Sequence, residues 1–364
     1  MALQSKMGFL VIALLVSSSL AWSEQVPVLL YDEVGSTGDL ESLGTIGAQK
    51  YLIIYQDDCD PEAKANGTVD VSKVLRRIAA VTEGRNYEWG VLDFETPFDD
   101  WLAEGPESDH GKRATKTMVD LIARVRQLFP SIKWTYYGVP RVPFYIDGKV
   151  WSSAPEDLRR SVRAQCLART RVVAEACDWL APSVYFVVGN RANGGRPDVD
   201  HLISTAAWTE ATVSIAVELS GSRSAPCPVI PFASPIYQPG GGARAGSTIS
   251  MQDLRRCTID PAIRAGASGI TCWTAMSYVV KKLTETDVKQ LGPEDRQAAI
   301  WAAEDLGLEP EQLHSQSGAS MLRVRLSSAV SMFMAEFNGR WKSLRAQPDA
   351  AAGKSPSAKE SGKR

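Results

Sequence analysis

Apolar and polar residues alternate along this chain with two different periods. Seven short runs carry the period of two that belongs to strands. They are VPVLLYDE (26–33), KYLIIYQDD (50–58), EWGVLDFE (88–95), IKWTYYGVP (132–140), DWLAPSVYFVV (178–188), CPVIPFAS (227–234) and GASGITCWT (266–274). Between them the period lengthens to 3.6. Over 112–129, Met118, Leu121, Ile122, Val125, Leu128 and Phe129 fall on one helical stripe. Val74, Leu75, Ile78 and Val81 mark a shorter helix, and 156–176, 199–218 and 250–264 are further helical segments. Strand centres recur every 25 to 50 residues or so, the length of a βα unit. Seven such units predict an α/β fold, a parallel sheet closed into a barrel of the TIM type. No G-x-G-x-x-G or P-loop pattern follows a strand, so a doubly wound nucleotide-binding fold lacks its usual signature. Beyond residue 275 the pattern turns helical.

The ends of the chain differ from its middle. Lys6, the apolar run MGFLVIALLV and the small residues Ala21 and Ser23 have the layout of a cleavable signal peptide over 1–23. A retained N-terminal anchor is the alternative, and no later apolar run is long enough to span a bilayer. Residues 24–345 are then expected to form the barrel with its C-terminal helices. The stretch QPDAAAGKSPSAKESGKR (347–364) closes a polar tail, 346–364, expected to be disordered. The expectation is a secreted or periplasmic monomer, free of the membrane once cleaved.

Composition narrows the function. A net charge of −2 gives no electrostatic case for nucleic acid. Three histidines weaken a metallohydrolase or Ser-His reading, and no metal or cofactor is expected. Six cysteines without a C-x-x-C pair suggest disulfides if the chain is exported, although fifteen pairings are open. Asn66-Gly67-Thr68 fits a glycosylation sequon.

In a closed parallel barrel the chemistry lies at the C-terminal strand ends. There the sequence places Tyr31-Asp32-Glu33, Asp57-Asp58, Asp93 and Glu95, Tyr136-Tyr137, Tyr185, Tyr237 and Trp273. Acids and aromatic rings around one rim suit a sugar, with rings stacking on pyranose faces and carboxyls moving protons. A lone acid such as Asp32 or Asp57 is also an ordinary turn or cap residue. Tyr185 and Trp273 are each equally good core residues. Asp93 and Glu95 differ, because strand geometry turns both to one face with Trp89 and Val91. Two inward acids must share a proton or find cations, so one carries a raised pKa and is a candidate general acid.

These residues resemble the hyaluronidase family of glycoside hydrolases. GVLDFE is similar to its G-V-I-D-F/W-E strand. KWTYYGVP, WLAPSVYF, PVIPFASPIY and GASGITCW resemble four further family motifs in the same order, together covering roughly 88–274. The resemblance implies a distorted (β/α)7 barrel and a retaining, substrate-assisted cleavage of a β-linked N-acetylhexosamine polysaccharide, hyaluronan or a related polymer. It implies Glu95 as acid/base, Asp93 on the acetamido group, Tyr185 on the acetamido oxygen and Trp273 as the pocket floor. Tyr137 occupies a motif position without an implied role. Two departures stand out. The family's W-R-P after the acids is Thr96-Pro97-Phe98-Asp99-Asp100 here, and a motif tyrosine is Phe232, leaving Tyr237 as the nearest phenol. Asp99 and Asp100 predict a less acidic substrate unless Arg141 or Arg191 offsets them. A carbohydrate-binding barrel without catalysis is the alternative. A chitinase-like hydrolase is another, although only the final D-x-E of the D-x-x-D-x-D-x-E run of those enzymes is present.

Overall fold

The computed structural model describes residues 26–32, 40–186, 199–237, 247–274 and 316–346, with scattered positions between 292 and 312. The signal-peptide segment, Glu33, Arg191 and the tail beyond 346 lie outside the described residues. Six parallel strands form one sheet: β1 (Val28–Asp32), β2 (Gln49–Tyr55), β3 (Trp89–Asp93), β4 (Lys133–Tyr136), β5 (Phe232–Ala233) and β6 (Gly269–Cys272). Their order is β4-β3-β2-β1-β6-β5. The extended segment 178–184 joins the two edges, through parallel bridges Tyr137↔Ala181 on one side and Leu180↔Val229 and Ser183↔Phe232 on the other. Its bonds include Gly138 N to Ala181 O at 2.9 Å and Phe232 N to Pro182 O at 2.8 Å. The sheet therefore closes into the α/β barrel that the alternation predicts.

The expected strand over 178–188 consists of bridges rather than a regular ladder, and its neighbour, expected over 227–234, is reduced to Phe232–Ala233. Proline explains both. Pro182, Pro228 and Pro231 have no N–H to donate, so alternate rungs are lost. Their carbonyls still accept, from Phe232, Leu180 and Thr271 respectively, at 2.8 to 2.9 Å.

Alternation also sorts the core into two layers. Leu30, Tyr51, Trp89, Val91, Trp179, Ala181, Ile230 and Phe232 pack inside the ring. Leu29, Leu52, Ile54, Leu92, Trp134 and Tyr136 face outward, against the helices. Helix α1 (Val71–Thr82) is capped by Asp70, whose carboxylate accepts from the backbone of Ser72 and Lys73. Helix α2 (Asp109–Leu128) begins three residues before the expected start at 112 because Ser108 caps it, accepting from Gly111 N at 2.8 Å. Helix α3 (Glu156–Ala176) matches its expected range, and α4 (Val199–Gly221) runs three residues past it. The segment 251–264 is helical with a π-turn over Arg255–Ile259. A last helix, α5 (Gln316–Arg345), packs Phe333, Met334 and Phe337 onto the outer core. Among the described residues, no helix is long and apolar enough to cross a membrane.

The expected disulfides are absent, and all six cysteines are free. Several are satisfied locally. The thiols of Cys166, Cys177 and Cys257 donate to the carbonyls of Arg141, Val173 and Leu202 at 3.3 to 3.5 Å.

Candidate active site

Strand β3 delivers the acids. Trp89 and Val91 fill the barrel interior, so two residues further Asp93 points inward at its C-terminal end, where the chain leaves the ladder for Glu95. The Asp93 Oδ1 is buried with no hydrogen-bond partner. Burial, then the nearby Glu95 and Asp99, push the Asp93 carboxyl up to about 8, with Arg141 pulling the other way. Glu95 is more open, its side chain 43% exposed.

Arg141, on the loop after β4, reaches both flanking acids. Its Nη2 lies 3.4 Å from Glu95 Oε2, and its Nη1 pairs with Asp99. Burial works against the guanidinium charge, but Asp99 and Glu95 outweigh it and raise the Arg141 pKa. Its backbone is fixed from behind, where Arg169 of α3 donates to the Arg141 carbonyl at 2.7 Å. Asp99 follows one turn after Glu95, with its N–H bonded to the Glu95 carbonyl at 2.8 Å. Burial is also the main cause that lifts Asp99 to about 7, despite the guanidinium beside it.

Across the mouth stands an aromatic wall. Tyr137 and Tyr185 lie nearly parallel, ring centres 6.2 Å apart, and Trp273 lies 5.6 Å beyond Tyr185 at 30°. The Tyr137 hydroxyl donates to Ser183 Oγ at 3.1 Å, and Trp273 Nε1 donates to the Tyr55 hydroxyl at 2.8 Å. Burial raises the pKa of Tyr137 and of Tyr185, so both phenols stay neutral donors. Phe232 supports this wall from inside, edge-on to Tyr137 at 5.2 Å and to Tyr51 at 5.6 Å.

Asp93, Glu95, Tyr137, Tyr185 and Trp273 thus come together at one end of the ring, close enough for Glu95 and Asp93 to act electrostatically on Tyr137. Tyr237 does not join them; it is buried in the outer core, edge-on to Phe186 at 5.6 Å. Tyr136 also points outward, donating to the Met118 carbonyl at 2.8 Å. Asp57 and Asp58 have structural partners, Lys64 at 2.6 Å and Arg77 at 3.2 Å. Asp32, equally readable as a turn residue, is instead buried inside the ring, where it adds to the burial that raises Tyr51. The alternation Val28, Leu30, Asp32 on one face could have shown this, as Tyr51, Ile53, Tyr55 could have shown Tyr55. Among the described residues, no group of histidine, cysteine and acidic side chains is arranged to hold a metal ion.

No protein-family model and no curated protein sequence matches the chain. Several solved structures are similar to it. Bee venom hyaluronidase is 14% identical, over 84% of this chain and 99% of that one, with a TM-score of 0.47. The same venom enzyme in complex with a hyaluronic acid tetramer is 16% identical over 82% and 99%, with a TM-score of 0.46. A GH18 chitinase from Pseudoalteromonas aurantia is 14% identical over 65% and 72%, with a TM-score of 0.39. The barrel assignment itself rests on the strand order and bridges of this chain.

Proposed function

We propose that this chain is an exported, hyaluronidase-like glycoside hydrolase that cleaves a β-linked N-acetylhexosamine polysaccharide by substrate-assisted, retaining hydrolysis. One observation carries the reading: two carboxyl groups, one buried and one open, at the end of a single barrel strand and opposite an aromatic wall. The motif resemblance supports it independently.

In the free protein at neutral pH the pair shares a proton, which buried Asp93 holds. A bound acetamido N–H supplies the partner that Asp93 Oδ1 lacks and favours its carboxylate, so the proton becomes available to Glu95. Glu95 then gives a proton to the glycosidic oxygen as the bond from the anomeric carbon to that oxygen breaks. The acetamido carbonyl oxygen bonds to the anomeric carbon, and the resulting oxazolinium charge is balanced by Asp93. The Tyr185 hydroxyl positions the acetamido oxygen, and Tyr137 and Trp273 complete the wall around the sugar. Water next attacks the anomeric carbon, gives its proton to Glu95 and restores the acetamido group. The substrate's own oxygen is the nucleophile, one of the exceptions to the two-carboxylate scheme.

The decisive experiment compares hyaluronan, chondroitin and chitin oligomers with a fully de-N-acetylated chitin. Release of reducing ends from an acetylated polymer but not from the deacetylated one is expected. Turnover of the deacetylated polymer, or none on any acetylated one by folded protein, contradicts the reading. Activity should also fall as pH rises through about 8, where the pair loses its shared proton.

A second reading has its own observation. The Arg141 guanidinium stands 3.4 Å from Glu95 Oε2 and lowers the proton affinity of the neighbouring Asp93, which works against holding a proton for cleavage. Glycan binding without turnover at any pH would select a carbohydrate-binding barrel.

A further inference from the structure

We propose that Asp99 is a positioning residue that acts through Arg141: by drawing the guanidinium away from Glu95 it lets the Asp93–Glu95 pair keep the proton that bond cleavage requires. This rests on the hydrolase reading and adds two residues to it.

The geometry is specific. Arg141 forms a close pair with Asp99, while its other terminal nitrogen stands at 3.4 Å from Glu95, the outer limit of useful contact. Asp99 is the more buried acid, its side chain 15% exposed against 43% for Glu95, so its pull on the cation is less screened. Neither end of the bridge is free to drift. The Arg141 carbonyl is tied to Arg169, and the Asp99 N–H is tied to the Glu95 carbonyl.

The charges facing the acids come from four parts of the chain. Asp93 and Glu95 belong to the end of β3, Asp99 and Asp100 to the following turn, and Arg141 and Tyr137 to the end of β4 and its loop. From a fourth part, the short helix after β2, Asp57 adds a smaller effect on Asp93 than Glu95, Asp99 or Arg141 does. Arg141 is the cation among these groups. Without the Asp99 carboxylate its charge would act on Asp93 unopposed by that acid and favour the Asp93 carboxylate. Without Arg141 the acids would repel one another and hold the proton more tightly. The two side chains therefore act on Asp93 with opposite signs, Asp99 raising its proton affinity and Arg141 lowering it.

The test is a double-mutant cycle read by pH profile. Asp99→Asn should move the alkaline limb of kcat/KM down by about one pH unit and reduce kcat/KM at that limb about tenfold, since one pH unit corresponds to a tenfold change in proton affinity. Arg141→Met should move the limb up, and the Asp99→Asn/Arg141→Met double variant should bring it back towards wild type. Asp99→Glu, which keeps the charge, should restore most of the profile. A carbon-13 titration of the Asp93 carboxyl reads the same coupling without turnover: its midpoint should fall in Asp99→Asn and rise in Arg141→Met. If Asp99→Asn loses activity equally at all pH values and the Asp93 midpoint does not move, Asp99 is only structural and the inference is overturned. If the midpoints move as stated while no variant or wild type cleaves any polymer, the charge coupling stands and the hydrolase reading fails.

Discussion

Asp93 sits where a carboxylate is costly, and the cost has a measurable sign. Its folded pKa, about 8, exceeds the ordinary value of 3.8. Between those values the folded protein binds more protons than the unfolded chain, so this residue makes stability fall as pH rises from about 4 to about 8. Asp93→Asn should remove that dependence. Urea unfolding should show the variant gaining on wild type as pH rises from about 4 to about 8, by up to about 5 kcal/mol from linkage alone, with the gap closing near pH 4. A gap that is constant with pH would show that Asp93 is not held protonated. The carboxyl pair is legible in the sequence, because period-two alternation fixes which side chains share a face. The Arg141 contact is not, because it joins Glu95 to a loop 46 positions away and only the lateral pairing of β3 with β4 brings them together. The sequence alone presents Asp99 as a repulsive acid on the groove; its carboxylate is instead turned onto Arg141.

At the scale of elements, proline and glycine decide where the barrel is regular. Strand β6 lies directly against β1, and Val28 pairs with Gly269. A Cβ at Gly269 would meet the Val28 carbonyl oxygen at 1.9 Å, and backbone there has nowhere to move. Gly269→Ala should therefore destabilise the protein by roughly 3 kcal/mol, in the range for overpacked core positions, as a lower urea midpoint with unchanged slope. Gly47, whose φ is +75° and whose Cβ would meet open space, should lose less on substitution, and that loss would come from backbone strain alone. Helix α3 is legible to the residue. Over 178–188 and 227–234 the composition is as strand-like as elsewhere, and the loss of ladder there depends on three prolines, Pro182 and Pro228 at the seam between the two segments and Pro231 against β6. The expected continuation of the second strand through Asp58 turns into a short helix, Gln56–Cys59, whose first turn carries Asp57 and Asp58. Acids there complement the helix N-terminus, a preference that alternation alone does not reveal.

For the whole molecule, the barrel gathers its chemistry at one mouth, and the charge of that mouth sets what it prefers. Among the described residues, Asp93, Glu95 and Asp99 stand there against Arg141. Among these residues the acids exceed the cation even with Asp93 protonated, which disfavours a polymer bearing a carboxylate on every disaccharide. The KM for hyaluronan should exceed that for a neutral N-acetylglucosamine polymer at low salt, and the difference should shrink as salt screens the exposed acids. A hyaluronan preference that sharpens at low salt would show a basic groove instead.

The proposed hydrolysis depends above all on the carboxyl of Glu95 moving the proton in glycoside cleavage. The direct measurement is release of reducing ends from the best acetylated polymer by wild type and by Glu95→Gln, a near-isosteric change on a half-exposed side chain that leaves the fold intact. The variant should unfold with the same midpoint as wild type and turn over on the order of 10² to 10⁴ times more slowly. A Glu95→Gln protein that cleaves at close to the wild-type rate would contradict this role.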